Sequence, residues 1–327
     1  MRLASLAALT ALFATAHAQT LIVGNKGEHT VSFVDLATGQ EVARRETGRF
    51  PHEIAVSPDG ALAVVVSYAG PGFQGNTLHL FDVASAEMVG DISLGESRAP
   101  HGLKWIPGTD QVIVTTEASQ DTVIVEPVEK RVVGRIRTDQ QGSHMVAVSP
   151  DAARAFVANI GSGTFTVLDL ETRSKVQDVE AGTQTEAIAV TPDGNEIYVG
   201  NNASKNVMVF DAESLERLHT LDTAGVPIRV EIRPDGEQFA VSQPLLGSVA
   251  FYRTSDREEL GTVELGEGTV PVTLLYANDG SVIWAAATGA QKVFEIDTET
   301  LVIRRSFDVG EGSDGLIYSP LNVEVHD

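Results

Sequence analysis

Three histidines stand at matched places in this sequence. Each lies six residues ahead of a proline that opens a turn: His52 in RFPHEIAVSPDG (49–60), His101 in PHGLKWIPG (100–108) and His144 in SHMVAVSPD (143–151). Later copies of the same slot hold Glu186, Ile228 and Val272, and Asp314 fills it near the C-terminus. Random filling at the chain's composition would put only about 0.2 histidines into seven slots. Three neutral imidazoles and a carboxylate brought to one point suit Zn²⁺, Fe²⁺, Cu²⁺ or Mn²⁺. Such an ion polarises a carbonyl or lowers the pKa of a bound water. His52, His101, His144 and Glu186 are therefore the candidate metal ligands. Asp314 is a candidate fifth ligand, a partner to an imidazole, or a general base. Two other readings stay open. One is a water-filled polar channel whose histidines are satisfied by solvent. The other is a metal-free site in which His and carboxylates act as acid and base.

Further candidates flank these slots. Tyr68 and Glu117 follow a position that reads Asn25, Ser67, Thr116, Asn159, Asn201, Gln243 and Ala287 around the chain. That second series is expected to be structural, with Asn side chains holding the following turn. Tyr68 and Glu117 could instead reach the cavity. Arg49 and Arg98 each lie three residues before a slot histidine, and either could clamp an anionic substrate. Asp314, Arg98 and Tyr68 are the candidate catalytic residues. The segment SYAGPGFQGN (67–76) is longer than its equivalents and carries three glycines, a proline, Tyr68 and Phe73. It reads as a lid or selector loop above the site, or as a variable surface loop. His29, His79 and His219 fall outside the slots and are given no role.

What positions these residues is a repeat of about 42 residues. Its turns are SPDG at 57–60, IPGTD at 106–110, SPDA at 149–152, TPDG at 191–194, RPDG at 233–236 and NDG at 278–280, with YSPLN at 318–322. Each unit has an alternating apolar run, the turn, a second apolar run, a third run ending in Asp, and a fourth. Period-two alternation between Gly- and Asp-rich turns marks antiparallel strands. Six complete units run from Pro51 to Gly310. The N-terminus adds three strands lacking a first, and the C-terminus adds a first strand lacking partners. Joined, they make a seventh unit and remove the exposed sheet edges. The expected fold is all-β: a seven-bladed propeller of four-stranded antiparallel blades, one domain over 19–327, whose inner strands line a central channel.

Three segments carry a family resemblance: IYVGNNASKNVMVFDAESLE (197–216), AFVANIGSGTFTVLDLETRS (155–174) and LIVGNKGEHTVSFVDLATGQ (21–40). They resemble the YVTN β-propeller repeat family across essentially all of the chain after residue 18. The resemblance implies the propeller fold. The wider group includes exported propellers without known chemistry, surface-layer proteins and relatives of lactonases and dehydrogenase subunits, so it implies no single activity.

Residues 1–18, MRLASLAALTALFATAHA, have a basic start, an apolar run and an Ala-His-Ala end. They read as a secretory signal peptide cut after Ala18, which places the protein in the periplasm or outside the cell. No later stretch is long and apolar enough to span a membrane. The chain has no cysteine, which excludes thiolate nucleophiles, iron–sulfur clusters and a lipidated cysteine anchor. Its formal charge of −22 disfavours nucleic acid and anionic membranes as partners. There is no GxSxG elbow, P-loop, dinucleotide fingerprint, or haem or flavin signature. The expected partner is a small molecule, or another protein, at the channel-mouth face. Two functions follow: a metal-dependent lyase or hydrolase, lactonases included, acting on a small anionic or lactone substrate, or a non-catalytic ligand-binding, metal-carrying or scaffold propeller.

Overall fold

The computed structural model describes residues 19–324. Residues 1–18, where a signal peptide is expected, lie outside the described residues. Among the described residues all regular structure is β, in seven four-stranded antiparallel sheets. Blades 1 to 6 span 51–93, 100–137, 143–180, 185–222, 229–264 and 271–308, each running from inner to outer strand. Blade 7 takes its inner strand, Ser313–Ser319, from the C-terminus and its other three from Thr20–Asn25, Thr30–Asp35 and Gln40–Glu46. The expected closure from both chain ends is what the structure has. No helix among the described residues is long and apolar enough to cross a membrane.

Alternation explains why these strands form blades. In blade 4 Ile197, Val199, Met208 and Phe210 turn one way and pack with Phe156, Phe165 and Val167 of blade 3. Their neighbours Tyr198, Val207 and Val209 turn the other way, onto Val230, Phe239 and Val241 of blade 5. Middle strands therefore bury both faces, whereas the outer strand Arg217–Asp222 is almost wholly exposed. Burying both faces of the two middle strands in every blade supplies a large apolar core. That core stands in for the disulfides the chain lacks.

Two devices at the head of the inner strands aim side chains into the channel. Blades 1, 2, 3, 4, 6 and 7 each carry a register shift where the slot residue sits, as between Pro51 and Ile54 or Pro100 and Leu103. A bulge re-aims the side chain it contains. Two residues ahead of the slot, each of these blades has a residue in the left-handed region: Phe50, Ala99, Gly142, Gln184, Val270 and Gly312. Four of the six are not glycine, and Val270 is β-branched, so the backbone here is strained. Blade 5 has neither device; its inner strand begins at Arg229, after Ile228.

Gln184 allows a clean test of that strain, because its side chain is exposed and its φ is 58°. An L-residue in this conformation costs about 1–2 kcal/mol, and glycine's extra freedom in the unfolded chain offsets part of that. Gln184→Gly is expected to stabilise the fold by about 0.5–1 kcal/mol in urea melts. A loss of stability would show that this turn is not under strain.

Candidate functional site

The seven slots form a ring at one end of the channel, around a cavity of about 590 Å³. His52, His101, His144, Glu186, Ile228, Val272 and Asp314 all line it. The imidazoles of blades 1, 2 and 3 stand side by side. Ring centroids are 4.0 Å apart for His52 and His101, and 3.6 Å for His101 and His144. Tyr68 meets both His52 and His101 edge-on, at 5.1 and 4.7 Å.

Carboxylates surround this row. His144 lies between two of them, with Nδ1 3.3 Å from Glu117 Oε2 and Nε2 3.3 Å from Glu186 Oε1. The Tyr68 hydroxyl donates to the same Glu117 oxygen at 2.5 Å. Asn202 donates to the other oxygen of Glu186. At the far end of the row His52 Nε2 is 3.4 Å from Asp314 Oδ2, which also faces Lys26 Nζ at 3.5 Å. His101, Glu117 and His144 each offer a ligand atom, all within 4.8 Å of one another, and form a group able to hold a metal ion. Nδ1 of His101 is buried without a hydrogen-bond partner, as is Nδ1 of His52.

Proton affinities diverge along the row. Burial, then the nearby charges of His144 and His52, push His101 well below the ordinary histidine value, so it is a neutral donor. Burial also opposes charge on His144, but the bonds to Glu117 and Glu186 prevail and raise it to about 9. For Glu117 burial is again outweighed, by the bonds with His144 and Tyr68, and its carboxyl sits below the usual range. His144 in the metal-free protein is thus an imidazolium held between two carboxylates. Its stabilising contribution is complete below about pH 6.5 and is lost as pH rises through about 9. NMR titration of the metal-free protein should find His144 titrating near the top of that window while His101 stays neutral. An ordinary midpoint for His144 would contradict this electrostatic account.

The floor of the cavity is a charged pair that sequence reasoning missed. Arg229 follows Ile228 in blade 5 and reaches across the channel to Glu53, which follows His52 in blade 1. One terminal guanidinium nitrogen donates to Glu53 at 2.5 Å and to Thr273 at 3.1 Å, and the other terminal nitrogen approaches the Met145 sulfur at 3.3 Å. Both residues are under 10% exposed. Burial opposes both charges, yet their attraction holds the Glu53 carboxyl far below its usual range and raises Arg229. Below them is a cavity of about 110 Å³, and Arg229 lines both spaces. Arg229 is thus the residue shared by the ring cavity and the lower space, while Glu53 lines only the lower one. The only sequence signal was charge inside two apolar runs: Glu53 in HEIAV, and Arg229 with Glu231 in IRVEI.

Other candidates fall elsewhere. Arg98 does not line the cavity; its guanidinium donates to the carbonyls of Gly95 and Ser97 in its own loop. Arg49 stacks over Phe73 and Phe50, at 4.5 and 5.4 Å. The long segment 67–76 is not a loop. The strands Leu62–Gly70 and Phe73–Asp82 run on, pairing Ala69 with Gln74 and Gly70 with Phe73 around a Pro71-Gly72 turn. It is a paired hairpin that carries Tyr68 over the ring. Glu117, foreseen only as able to reach the cavity, is a member of the ligand group. The Asn series is structural, but its backbone bonds run to the incoming loop: Asn25 and Asn201 accept from Gly310 N and Gly182 N. A larger groove, about 920 Å³, lies at the other end of the inner strands. Its Arg233, Arg253 and Arg257 are neutralised by adjacent carboxylates.

Comparison with known proteins gives a family and a fold. The family model described as "Cytochrome D1 heme domain" matches residues 106–313. No curated protein matches the chain. Many solved structures share the architecture, among them the following three. Kuenenia stuttgartiensis hydrazine synthase is 19% identical with a TM-score of 0.76, over 86% of this chain and 92% of that one. A functionally unknown protein from Desulfotomaculum acetoxidans is 13% identical with a TM-score of 0.76, over 93% and 99%. The Pseudomonas aeruginosa periplasmic gluconolactonase PpgL is 17% identical with a TM-score of 0.76, over 92% and 99%. At these identities the likeness is one of fold.

Proposed function

The chain belongs to the cytochrome D1 heme domain family, and from that premise we propose that it is an exported, YVTN-type propeller enzyme whose ring binds one divalent transition metal and hydrolyses a small ester or lactone. The observation that carries this reading is the convergence of His101, Glu117 and His144 within 4.8 Å, beside a buried and unpartnered His101 Nδ1.

The family name raises haem as the alternative cofactor, and the donor set does not fit it. Haem iron would draw on one or two protein donors, whereas three nitrogen and oxygen donors lie here within 4.8 Å of one another. Glu186 and Asp314 would also confront the carboxylates that haem carries. Mixed nitrogen and oxygen donors suit a bare ion such as Zn²⁺, Fe²⁺, Cu²⁺ or Mn²⁺.

The sequence expectation of four ligands is revised in this proposal. His101, His144 and Glu117 are the ligands. Glu186 accepts from the far nitrogen of His144 and orients it, as outer carboxylates do for metal-bound histidines. Tyr68 holds Glu117 in place. The ion supplies Lewis acidity at the carbonyl or a more acidic water. His52 and Asp314, 3.4 Å apart, move the proton: His52 accepts it and Asp314 stabilises the imidazolium. Arg229 lines the cavity floor.

Export rests on the signal-like segment 1–18. A non-catalytic ligand-binding or metal-carrying role is the alternative, favoured by the short rim loops of the other blades. Turnover of a panel of small esters and lactones separates the two. The metal-loaded protein should hydrolyse members of the panel, lose activity on chelation and regain it with added metal. Asp314→Asn should lower kcat by about 10²–10⁴-fold at unchanged metal content. A metal-loaded protein inert to the whole panel would leave the carrier role.

A further inference from the structure

The ring is chemically divided. Blades 7, 1, 2, 3 and 4 place Asp314, three imidazoles and Glu186 on one arc, and blades 5 and 6 place Ile228 and Val272 on the other. Both aliphatic side chains are only partly buried, because they face the cavity and not a blade interface. Two of the polar groups on their side are engaged, while Nε of Arg229 is buried without a partner. The Ile228 amide donates to the Val226 carbonyl, and the Thr288 hydroxyl donates to Ser313 O at 2.6 Å. Leu246 continues the apolar bank outward, close against Gly225 of the loop that delivers Ile228, and Leu245 stands 80% exposed at that rim.

Resting on the metal-site reading above, we infer that the ligand of this cavity is a small amphiphile. It has an acidic or chelating oxygen head on the donor arc and a hydrocarbon body on Ile228 and Val272. A polyhydroxylated molecule is disfavoured, since the aliphatic arc leaves its hydroxyls unpaired, and sites discriminate strongly on that basis. Each methylene laid on the arc should tighten binding about fourfold until the chain leaves the cavity.

The test is calorimetric titration of the protein, with metal content measured in every sample. The probes are acetohydroxamate, butanohydroxamate and hexanohydroxamate, with gluconate as the polyhydroxylated comparator. Affinity should climb about 16-fold for each pair of methylenes, and gluconate should bind no better than acetohydroxamate. Val272→Thr, nearly isosteric, should at least halve the slope on a logarithmic scale. Ile228→Asn should flatten the series while keeping acetohydroxamate within about twofold. Equal thermal melting of both variants and the parent guards against misfolding, and Val272→Thr alone decides if Ile228→Asn melts early. A flat series in the metal-loaded parent, or tighter binding of gluconate than of hexanohydroxamate, overturns the inference while leaving the metal reading intact. A sample that takes up no metal overturns the metal reading instead. The straight-chain carboxylates from acetate to hexanoate then test the apolar arc on the metal-free protein, where a flat series again overturns it.

Discussion

Arg229→Met is expected to cost the fold about 3–5 kcal/mol, the largest loss from any single substitution considered for this protein. Methionine fills much of the same volume, so the effect is electrostatic. Glu53, 6% exposed, would be left as a buried carboxylate with its main counter-charge gone. Its folded-state pKa, now depressed by Arg229, would rise, because burial alone favours the protonated form. The sign with pH follows. A depressed carboxylate adds stability above its unfolded value and loses it as pH falls, so the parent should weaken in acid and the variant should not. Adding Glu53→Gln to Arg229→Met should recover most of the loss, since removing both charges of a buried pair costs far less than removing one. Denaturant midpoints for the two single variants and the double variant measure this. Additive losses, or a loss under about 1 kcal/mol for Arg229→Met, would mean the two charges are not coupled in the fold.

His101→Ala should remove metal binding altogether, and Glu117→Gln should weaken it by more than the 10–100-fold that outer partners typically contribute. His101 is the neutral donor of the row, so it coordinates without first losing a proton. Glu117 supplies the only carboxylate in the ligand group. Tyr68→Phe keeps both ligands and removes only the 2.5 Å bond to Glu117, and a fall of about 10–100-fold is expected. His219→Ala is the control, since that side chain is exposed on an outer strand. Equilibrium competition with a chromogenic chelator gives all four values. Binding by His101→Ala at parental strength would remove this residue from the ligand set.

The propeller was legible because each unit repeats the same alternation and a turn at the same place, Pro-Asp-Gly in three of them. Counting back from the turn found the ring residues, because the spacing from slot to turn is kept in every unit, even in blade 5, whose inner strand starts only at Arg229. Glu117 was harder to rank. It sits just past the end of a second strand, beside positions whose Asn and Ser serve turns, and only the folded chain shows that it meets His144. The Glu53–Arg229 pair joins residues 176 apart in sequence, and nothing local announces that two charges on different blades will meet across a channel. Segment 67–76 misled through composition. Its glycines and proline read as a loop, but only Pro71 and Gly72 form the turn, and the other residues extend paired strands. Arg98 misled through position, because a short path to its own loop carbonyls competes with any reach toward the ring.

The central claim is that the ring holds a metal ion, and the most direct measurement is elemental analysis of the purified protein. The measurement is repeated after stripping and titration with Zn²⁺, Fe²⁺, Cu²⁺ and Mn²⁺. The account predicts about one equivalent of a single transition metal, taken up again in the same ratio and accompanied by a rise in melting temperature. Less than about a tenth of an equivalent of every metal, before and after titration, would contradict it.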